Sequence, residues 1–333
     1  MSCLPEKYFI TKEAGKDRDR YFPQRLIEQL KKTGTAEFNP LQGELTEAEL
    51  CALAPDATVL LTHWGAPQIT ERYLSVNPNL KLIAHCAGTV AHIASGDTYA
   101  AGIPCISANS VMARYVAEAV LGLMISSLRG FKENDLLLQN GVWSKGNPAG
   151  SLLDSTVGLI GLGTVGRNLL DLLAPFGTSV LVYDPYIPSD VLDAYPFART
   201  ASFSEALGAD VVSVHASKTP ETYHMIDENA FSQMKDGAVF INTSRGSLVD
   251  TEAAAKAIRQ KNLRAAFDVY EQEGGPQETL AHIDSVLLQP HIAALPAGAK
   301  MTEKIIRDIE RFLAGEKPHF SVGFEQFNRM TRE

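Results

Sequence analysis

The sequence predicts an α/β protein of two domains, each built on a parallel sheet. Three observations predict it. Short apolar runs alternate with helical patterns along nearly the whole chain, as in a parallel sheet whose connections are helices. Residues 157–184 have the order strand, glycine-rich turn, helix, strand, acid. The 333 residues are enough for two cores, and no internal repeat or low-complexity tract interrupts them.

In chain order, residues 8–11 begin a short strand, and Phe22-Pro23 leads a helix with Leu26, Ile27 and Leu30 at helical spacing. Residues 46–53 form a helix, with Thr46 and Glu49 spaced as a capping box. TVLLT (58–62) is a buried strand, 67–74 a helix, LKLIA (80–84) a strand, 97–101 a short helix and 103–106 a strand. This set lacks a glycine fingerprint and makes the smaller domain. Residues 113–128 are a long apolar helix that carries the chain into the second domain. Residues 130–155 are looser, with Trp143 read as a buried packing residue. Helices are then expected at 202–207, 228–234 and 250–260, the first and last capped by Ser202 and Asp250. Strands are expected at 210–214, 238–242, 265–269 and 285–288. Residues 301–313 are amphipathic and return the chain to the first domain.

Within residues 157–184 each glycine has a task. Gly161 permits a tight turn, Gly163 lets the backbone approach a pyrophosphate, and Gly166 lets the helix pack against the strand. The helix N-terminus, at Thr164 and Val165, offers free N–H groups to phosphates. Asp184 ends the next strand, where its carboxylate accepts from ribose hydroxyls and repels a 2′-phosphate. The stretch therefore predicts a Rossmann-like dinucleotide site that prefers NAD(H) to NADP(H). The nearest basic residue beyond Asp184 is Arg199.

Composition narrows the function classes. A net charge of −9 argues against nucleic-acid and anionic-membrane partners, and the basic cluster at 12–20 is read as a solvated face. Cys3, Cys51, Cys86 and Cys105 have neither CxxC nor metal-ligand spacing, so no metal site is expected; they read as reduced, mostly buried thiols of a cytoplasmic protein. Residues 1–10 do not read as a signal peptide, and no apolar run is read as approaching a membrane span.

Ligands of an open parallel sheet bind beyond the carboxyl ends of its strands. Asn242-Thr243-Ser244-Arg245-Gly246 follows one strand. Arg245 is there either a planar fork for a carboxylate or carbonyl oxygen, or a surface arginine in a turn. Asp268-Val269-Tyr270-Glu271-Gln272-Glu273 follows another as an acidic loop, in which Glu271 is read as solvated. Gln289-Pro290-His291 follows the last strand, and histidine is the side chain best suited to move a proton near neutral pH. His215 also ends a strand and is read as packing near the cofactor.

Together, GLIGLGTVG, ADVVSVHASKTPET, INTSRGSLVD, AAFDVYEQE and LQPHIA, in this order and spacing, resemble the D-isomer-specific 2-hydroxyacid dehydrogenase family. The resemblance covers almost the whole chain and is clearest over 87–125 and 157–294. It implies two Rossmann-like or flavodoxin-like domains with parallel sheets and a cleft between them: a substrate-binding one from 1–112 and 299–333, and an NAD-binding one from 113–298. It implies a catalytic trio of Arg245, Glu273 and His291. Asp268 matches an acid that contacts the nicotinamide carboxamide, and Thr243, Ser244 and Arg245 would lie near the nicotinamide. Ala87, Gly88, Thr89 and Val90 match a loop whose N–H groups hold the substrate carboxylate, with Arg245 and His291 completing the substrate site.

The implied reaction is reversible hydride transfer between NADH and a 2-keto acid. His291 gives or takes the proton, Glu273 accepts a hydrogen bond that favours the protonated ring, and Arg245 clamps the substrate. A homodimer through the cofactor domain, with 130–155 contributing, is also implied. Departures from the family pattern are Val90-Ala91-His92-Ile93 after the substrate loop, His63-Trp64-Gly65-Ala66-Pro67, His215-Ala216-Ser217 without a proline, and Ala293-Ala294-Leu295-Pro296. Trp64 reads equally as a pocket wall or as core. Formate dehydrogenases of the superfamily carry glutamine where this chain has Glu273. A phosphite dehydrogenase would keep the trio, and so would an NAD(H)-sensing corepressor-like protein, for which no basic patch speaks. No regulatory extension is expected after the return helix.

Overall fold

A computed structural model describes residues 5–144 and 150–330, so the expectations for Cys3 and for the first four residues lie outside it. The chain divides into two compact units, Met1–Met112 with Ala297–Glu333, and Ala113–Pro296.

The first unit contains β1 (Glu6–Ile10), α1 (Lys16–Tyr21), α2 (Gln24–Leu30), β2 (Gly34–Phe38), α3 (Glu47–Leu53), β3 (Val59–Thr62), α4 (Glu71–Val76), β4 (Leu82–His85), α5 (Gly96–Ala100) and β5 (Cys105–Ser107). Its strands are all parallel, in the order β2-β1-β3-β4-β5, which is the flavodoxin-like order. The central strands β3 and β4 are buried throughout, as their continuous apolar runs require. The edge strand β2 is half exposed and carries Gly34 and Glu37, so it has no strand signature in the sequence. The capping box forms at α3, where Glu49 N–H donates to Thr46 Oγ1 and Thr46 N–H to Glu49 Oε2.

The helix expected at 67–74 starts only at Glu71, because Thr70 caps it and Ile69 N–H is committed to Ile93 O at 2.7 Å. The basic cluster is not simply a solvated face: α1 buries Tyr21 and sets the Arg18 guanidinium 4.6 Å from the centre of the Phe38 ring.

The second unit holds most of α6 (Asn109–Leu128), then α7 (Phe131–Gln139), β6 (Thr156–Ile160), α8 (Thr164–Leu173), β7 (Ser179–Tyr183), β8 (Ala198–Thr200), α9 (Phe203–Leu207), β9 (Val211–Val214), α10 (Glu228–Gln233), β10 (Val239–Asn242), α11 (Thr251–Gln260), β11 (Arg264–Phe267), α12 (Glu278–Ala281) and β12 (Val286–Leu288). The chain then re-enters the first unit as α13 (Gly298–Leu313) and α14 (Phe324–Asn328). The sheet is again wholly parallel, in the order β12-β11-β10-β9-β6-β7-β8. This is the doubly wound order with its switch point between β6 and β9.

Two expectations need correction. By length and composition α6 is apolar enough to cross a membrane, contrary to the sequence reading. That test reads length and composition alone; the helix also carries Arg114 and Glu118 and buries Ala113, Val116, Ala117, Val120, Met124 and Leu128. Trp143 is not a buried packing residue but is 90% exposed, and α7 before it buries no residue at all. Among the described cysteines, Cys86 and Cys105 are buried, Cys51 is half-buried, and all three are free thiols.

Candidate active site

Register sets side by side the ends of the three strands that lead to Arg245, Glu273 and His291. Asn242 of β10 is paired with Phe267 of β11, and Phe267 with Leu288 of β12. Arg245, Glu273 and His291 lie in the loops that leave these three neighbouring strands at their carboxyl ends. His291 Nδ1 is 2.9 Å from Glu273 Oε2, with both side chains 45% exposed. That contact leaves Nε2 as the ring nitrogen available to a substrate.

The backbone around the histidine is specified with care. His291 has φ +53°, a conformation non-glycine residues adopt sparingly. Asp268 holds it there. Its Oδ1 accepts from Ile292 N–H at 2.8 Å and its Oδ2 from Ala293 N–H at 3.0 Å. Asp268 is 1% exposed, and this burial raises its pKa against the opposing effect of the two N–H groups. The resemblance implies a contact of this acid with the nicotinamide carboxamide; the structure adds that its carboxylate binds the turn after His291. Tyr270 adds a second tie, its hydroxyl donating toward Phe267 O and Gln289 O.

Arg245 sits in a turn that Asn242 closes. The Asn242 side chain donates to Arg245 O at 3.0 Å and accepts from Ser244 N–H at 3.1 Å. The Arg245 guanidinium donates to Ser244 O at 2.8 Å. The Thr243 hydroxyl is buried with no hydrogen-bond partner, as expected of a group that awaits a ligand.

At the switch point the glycine turn fits a dinucleotide. Gly161 has φ +94°, and a Cβ there would meet Ala216 N at 2.7 Å. It therefore allows close approach to the loop after β9 as well as a turn. A Cβ on Gly163, at the N-cap of the ten-residue α8, would meet no protein atom within 4 Å, so the space beside it is open to a phosphate. A Cβ on Gly166 would come within 3.1 Å of Gly161 O, so glycine lets α8 pack tightly there. Asp184 Oδ2 accepts from Leu162 N–H at 2.7 Å and Oδ1 from Tyr186 N–H at 2.9 Å, which fixes the carboxylate beside the turn. Arg199 is committed elsewhere, donating to Glu205 Oε1 and Thr200 O. His215 is buried, 2.9 Å from the Ser213 hydroxyl, and burial lowers its pKa to about 4.

The remaining expected residues, Ala87 to Val90, belong to the first unit and follow β4. Ala87 and Val90 are buried, Ser107 Oγ donates to Gly88 O, and Thr89 Oγ1 accepts from Ala91 N–H at 3.2 Å. Trp64 is exposed rather than core: it is 38% exposed and stands edge-on to His63 and Tyr21. Among the described residues no group of three or more His, Cys, Asp or Glu is placed to hold a metal ion.

Glu271 is exposed, as the sequence reading has it, but its two partners were not anticipated: it accepts from Tyr223 Oη at 3.0 Å and lies 3.2 Å from His224 Nε2. The only sequence signal is that both partners follow a strand-end segment, which does not single them out.

A doubly wound sheet with an open glycine turn at its switch point defines the class of dinucleotide-binding α/β proteins. The family model for the NAD-binding domain of D-isomer-specific 2-hydroxyacid dehydrogenases matches residues 121–293. A glyoxylate reductase of Thermofilum pendens is 35% identical over 268 residues, covering 78% of this chain and 79% of that one. The chain belongs to the D-isomer-specific 2-hydroxyacid dehydrogenase family. A D-3-phosphoglycerate dehydrogenase of Mycobacterium leprae is 32% identical over 273 residues, 80% of this chain, but the match spans only 51% of that relative's length. Among solved structures, D-lactate dehydrogenase from Aquifex aeolicus, complexed with NAD and lactic acid, superimposes with a TM-score of 0.71 at 26% identity. That match covers 93% of this chain and 96% of the other.

Proposed function

We propose that this chain is an NAD(H)-dependent D-2-hydroxyacid dehydrogenase that interconverts a small 2-keto acid and its 2-hydroxy acid. The observation that carries the reading is the His291–Glu273 contact of 2.9 Å, made by the loops after the next two strands over from that of Arg245 and on the same sheet as an open glycine turn. NADH, when bound, supplies the hydride. His291 moves the proton from Nε2, because Glu273 engages Nδ1 and so fixes the tautomer. Arg245 binds the keto-acid oxygens and balances charge that develops on the carbonyl oxygen. The turn at Gly161 to Gly166 holds the pyrophosphate, Thr164 and Val165 contribute N–H groups, and the Thr243 hydroxyl and Ser244 lie toward the nicotinamide end. Ala87 to Val90 take the substrate carboxylate.

The test is NADH oxidation against glyoxylate, hydroxypyruvate, pyruvate, phenylpyruvate and branched 2-keto acids, with NADPH in parallel. Turnover of one or more supports the reading, and a preference for small acids assigns Trp64 as a wall that closes the pocket. Silence on all of them with NADH still bound would replace it with the phosphite or sensing alternatives.

NAD(H) is proposed over NADP(H) because Asp184 is fixed beside the glycine turn while Arg199 is tied to Glu205. Asp184→Ala is expected to lower kcat/KM with NADH by about tenfold, as for a lost charged hydrogen bond, and to narrow the NADH-to-NADPH ratio. A ratio that does not move would remove Asp184 as the discriminating group.

A homodimer through the second unit is proposed on the apolar surface that α7 and its neighbours expose: Phe131, Leu138, Val142, Trp143 and Leu153. Phe131 and Leu138, seven residues apart, share a face of α7, and exposed apolar side chains grouped in this way mark an interaction surface. Light scattering at micromolar concentration should return a dimer, and Leu138→Glu combined with Trp143→Ala should return a monomer. A monomeric parent protein would refute the assignment.

A further inference from the structure

Glu271 has no place in the chemistry above, yet it is held by two side chains. Its Oε1 accepts from Tyr223 Oη at 3.0 Å, and its Oε2 lies 3.2 Å from His224 Nε2. The two rings stack with centroids 4.0 Å apart and planes 15° apart, so consecutive residues present their polar tips to one carboxylate, one to each oxygen. The carboxylate raises the pKa of the Tyr223 phenol, which keeps it a donor. To reach this position His224 takes φ +48°, a conformation that persists only where surrounding contacts enforce it.

The contacts continue into the proposed active site. His224 N–H donates to Ser247 O at 2.8 Å, Ile226 N–H to Leu248 O at 3.0 Å, and Asp250 N–H back to Ile226 O at 3.1 Å. The segment thus runs beside the turn that follows Arg245. That turn in turn rests on the loop of Glu271: a Cβ on Gly246 would overlap the Tyr270–Glu271 peptide. Only glycine fits there. Arg245, one residue before Gly246, and Glu273, two residues after Glu271, are therefore joined through a closed ring of contacts. Beyond Glu271 the loop is exposed at Gln272 and Glu273 and continues through Gly274, at φ +83°, and Gly275; its ties there are the Gln277 side-chain amide, donating to Gln272 O at 2.9 Å and Gly275 O at 3.2 Å, and the contact of Glu273 with His291.

We propose that Tyr223 and His224, by gripping Glu271, hold the Glu273 loop against the Arg245 turn, and that Glu271 is a positioning residue for the His291–Glu273 pair. This rests on the dehydrogenase reading. A carboxylate on a free loop would sample many positions, whereas the grip leaves Glu273 two residues from a fixed point. Misplacement of a reacting group by about 1 Å can cost up to about a hundredfold in rate, so a loop loosened but not lost should cost about tenfold.

The experiment compares Glu271→Ala, Glu271→Gln, Tyr223→Phe and Glu273→Gln, and the double variant Glu271→Ala/Glu273→Gln, in the full chain. It measures kcat and KM for a keto acid found active in the panel, NADH affinity and Tm. Glu271→Ala should lose about tenfold in kcat with NADH affinity unchanged. Glu271→Gln should recover most of that, since its amide can accept from Tyr223 and donate to a neutral Nε2. The double variant should be no slower than Glu273→Gln, because the two residues act through one group. An unchanged kcat in Glu271→Ala, or losses that multiply in the double variant, would overturn the proposal. If Glu271→Ala does not fold, Tyr223→Phe decides: a smaller fall in kcat at unchanged NADH affinity supports the grip, and an unchanged kcat refutes it. Glu273→Gln with full reductive activity would instead sink the role of Glu273, and the grip with it.

Discussion

Replacing His291 with glutamine is expected to lower kcat for keto-acid reduction by about 10²–10⁴, the range typical for loss of a general acid, while NADH binds as before. The separation follows from the sheet. The glycine turn leaves β6, and β9, β10 and β11 lie between it and β12, whose end carries His291. Stability should change little, because the His291 side chain is 45% exposed and the backbone there is held through Ile292 and Ala293 by Asp268. Steady-state kinetics, NADH fluorescence titration and a melting curve read the three quantities. An unchanged kcat would remove His291 from the proton-moving role, and lost NADH affinity would place it in cofactor binding.

The second large effect is acid destabilisation. Burial lowers the pKa of His63 to about 3, of His215 to about 4, and of His85 well below its ordinary value of 6.5. The folded protein keeps these rings neutral while the unfolded chain takes up protons as pH falls through about 6.5. Their contribution to stability is therefore complete above about pH 6.5. It declines on acidification by about 1.4 kcal/mol per pH unit for each histidine, until His215 protonates in the folded state near pH 4 and His63 near pH 3. His63 is the sharpest probe. Both its ring nitrogens are buried without a hydrogen-bond partner, and its neighbours are the rings of Tyr21, Phe22 and Trp64. A phenyl ring there forfeits no hydrogen bond. His63→Phe should thus make the dependence of Tm on pH between 7 and 5 shallower by about a histidine's share, with little loss at pH 7. Parallel curves for the two proteins would show that His63 does not take up a proton on unfolding.

Much of the fold was legible because its signals are local. The buried strands β3, β4, β6, β9 and β10 are continuous apolar runs, and the caps at Thr46, Ser202 and Asp250 act on N–H groups two or three residues away. The edge strands β2 and β8 escaped for the same reason: exposed on one side, they carry residues such as Glu37 and Arg199 that no apolar pattern marks. The helix expected at 67–74 was shortened by Ile93, a residue far outside any helical window.

By itself the sequence determined the glycine turn with its helix and closing acid, and the residue types at the strand ends. Those features need only neighbours in the chain. Tertiary structure alone decided that Arg245, Glu273 and His291 leave adjacent strands, that Asp268 secures the turn after His291, and that Glu271 meets Tyr223 and His224 across 48 and 47 residues. It also decided that Trp143 is left 90% exposed by its own chain. The physical reason is common to all of these. A cap or an apolar period acts over one turn of chain, whereas a partner for a carboxylate, or a cover for an indole, is supplied by whichever distant segment the sheet order brings alongside.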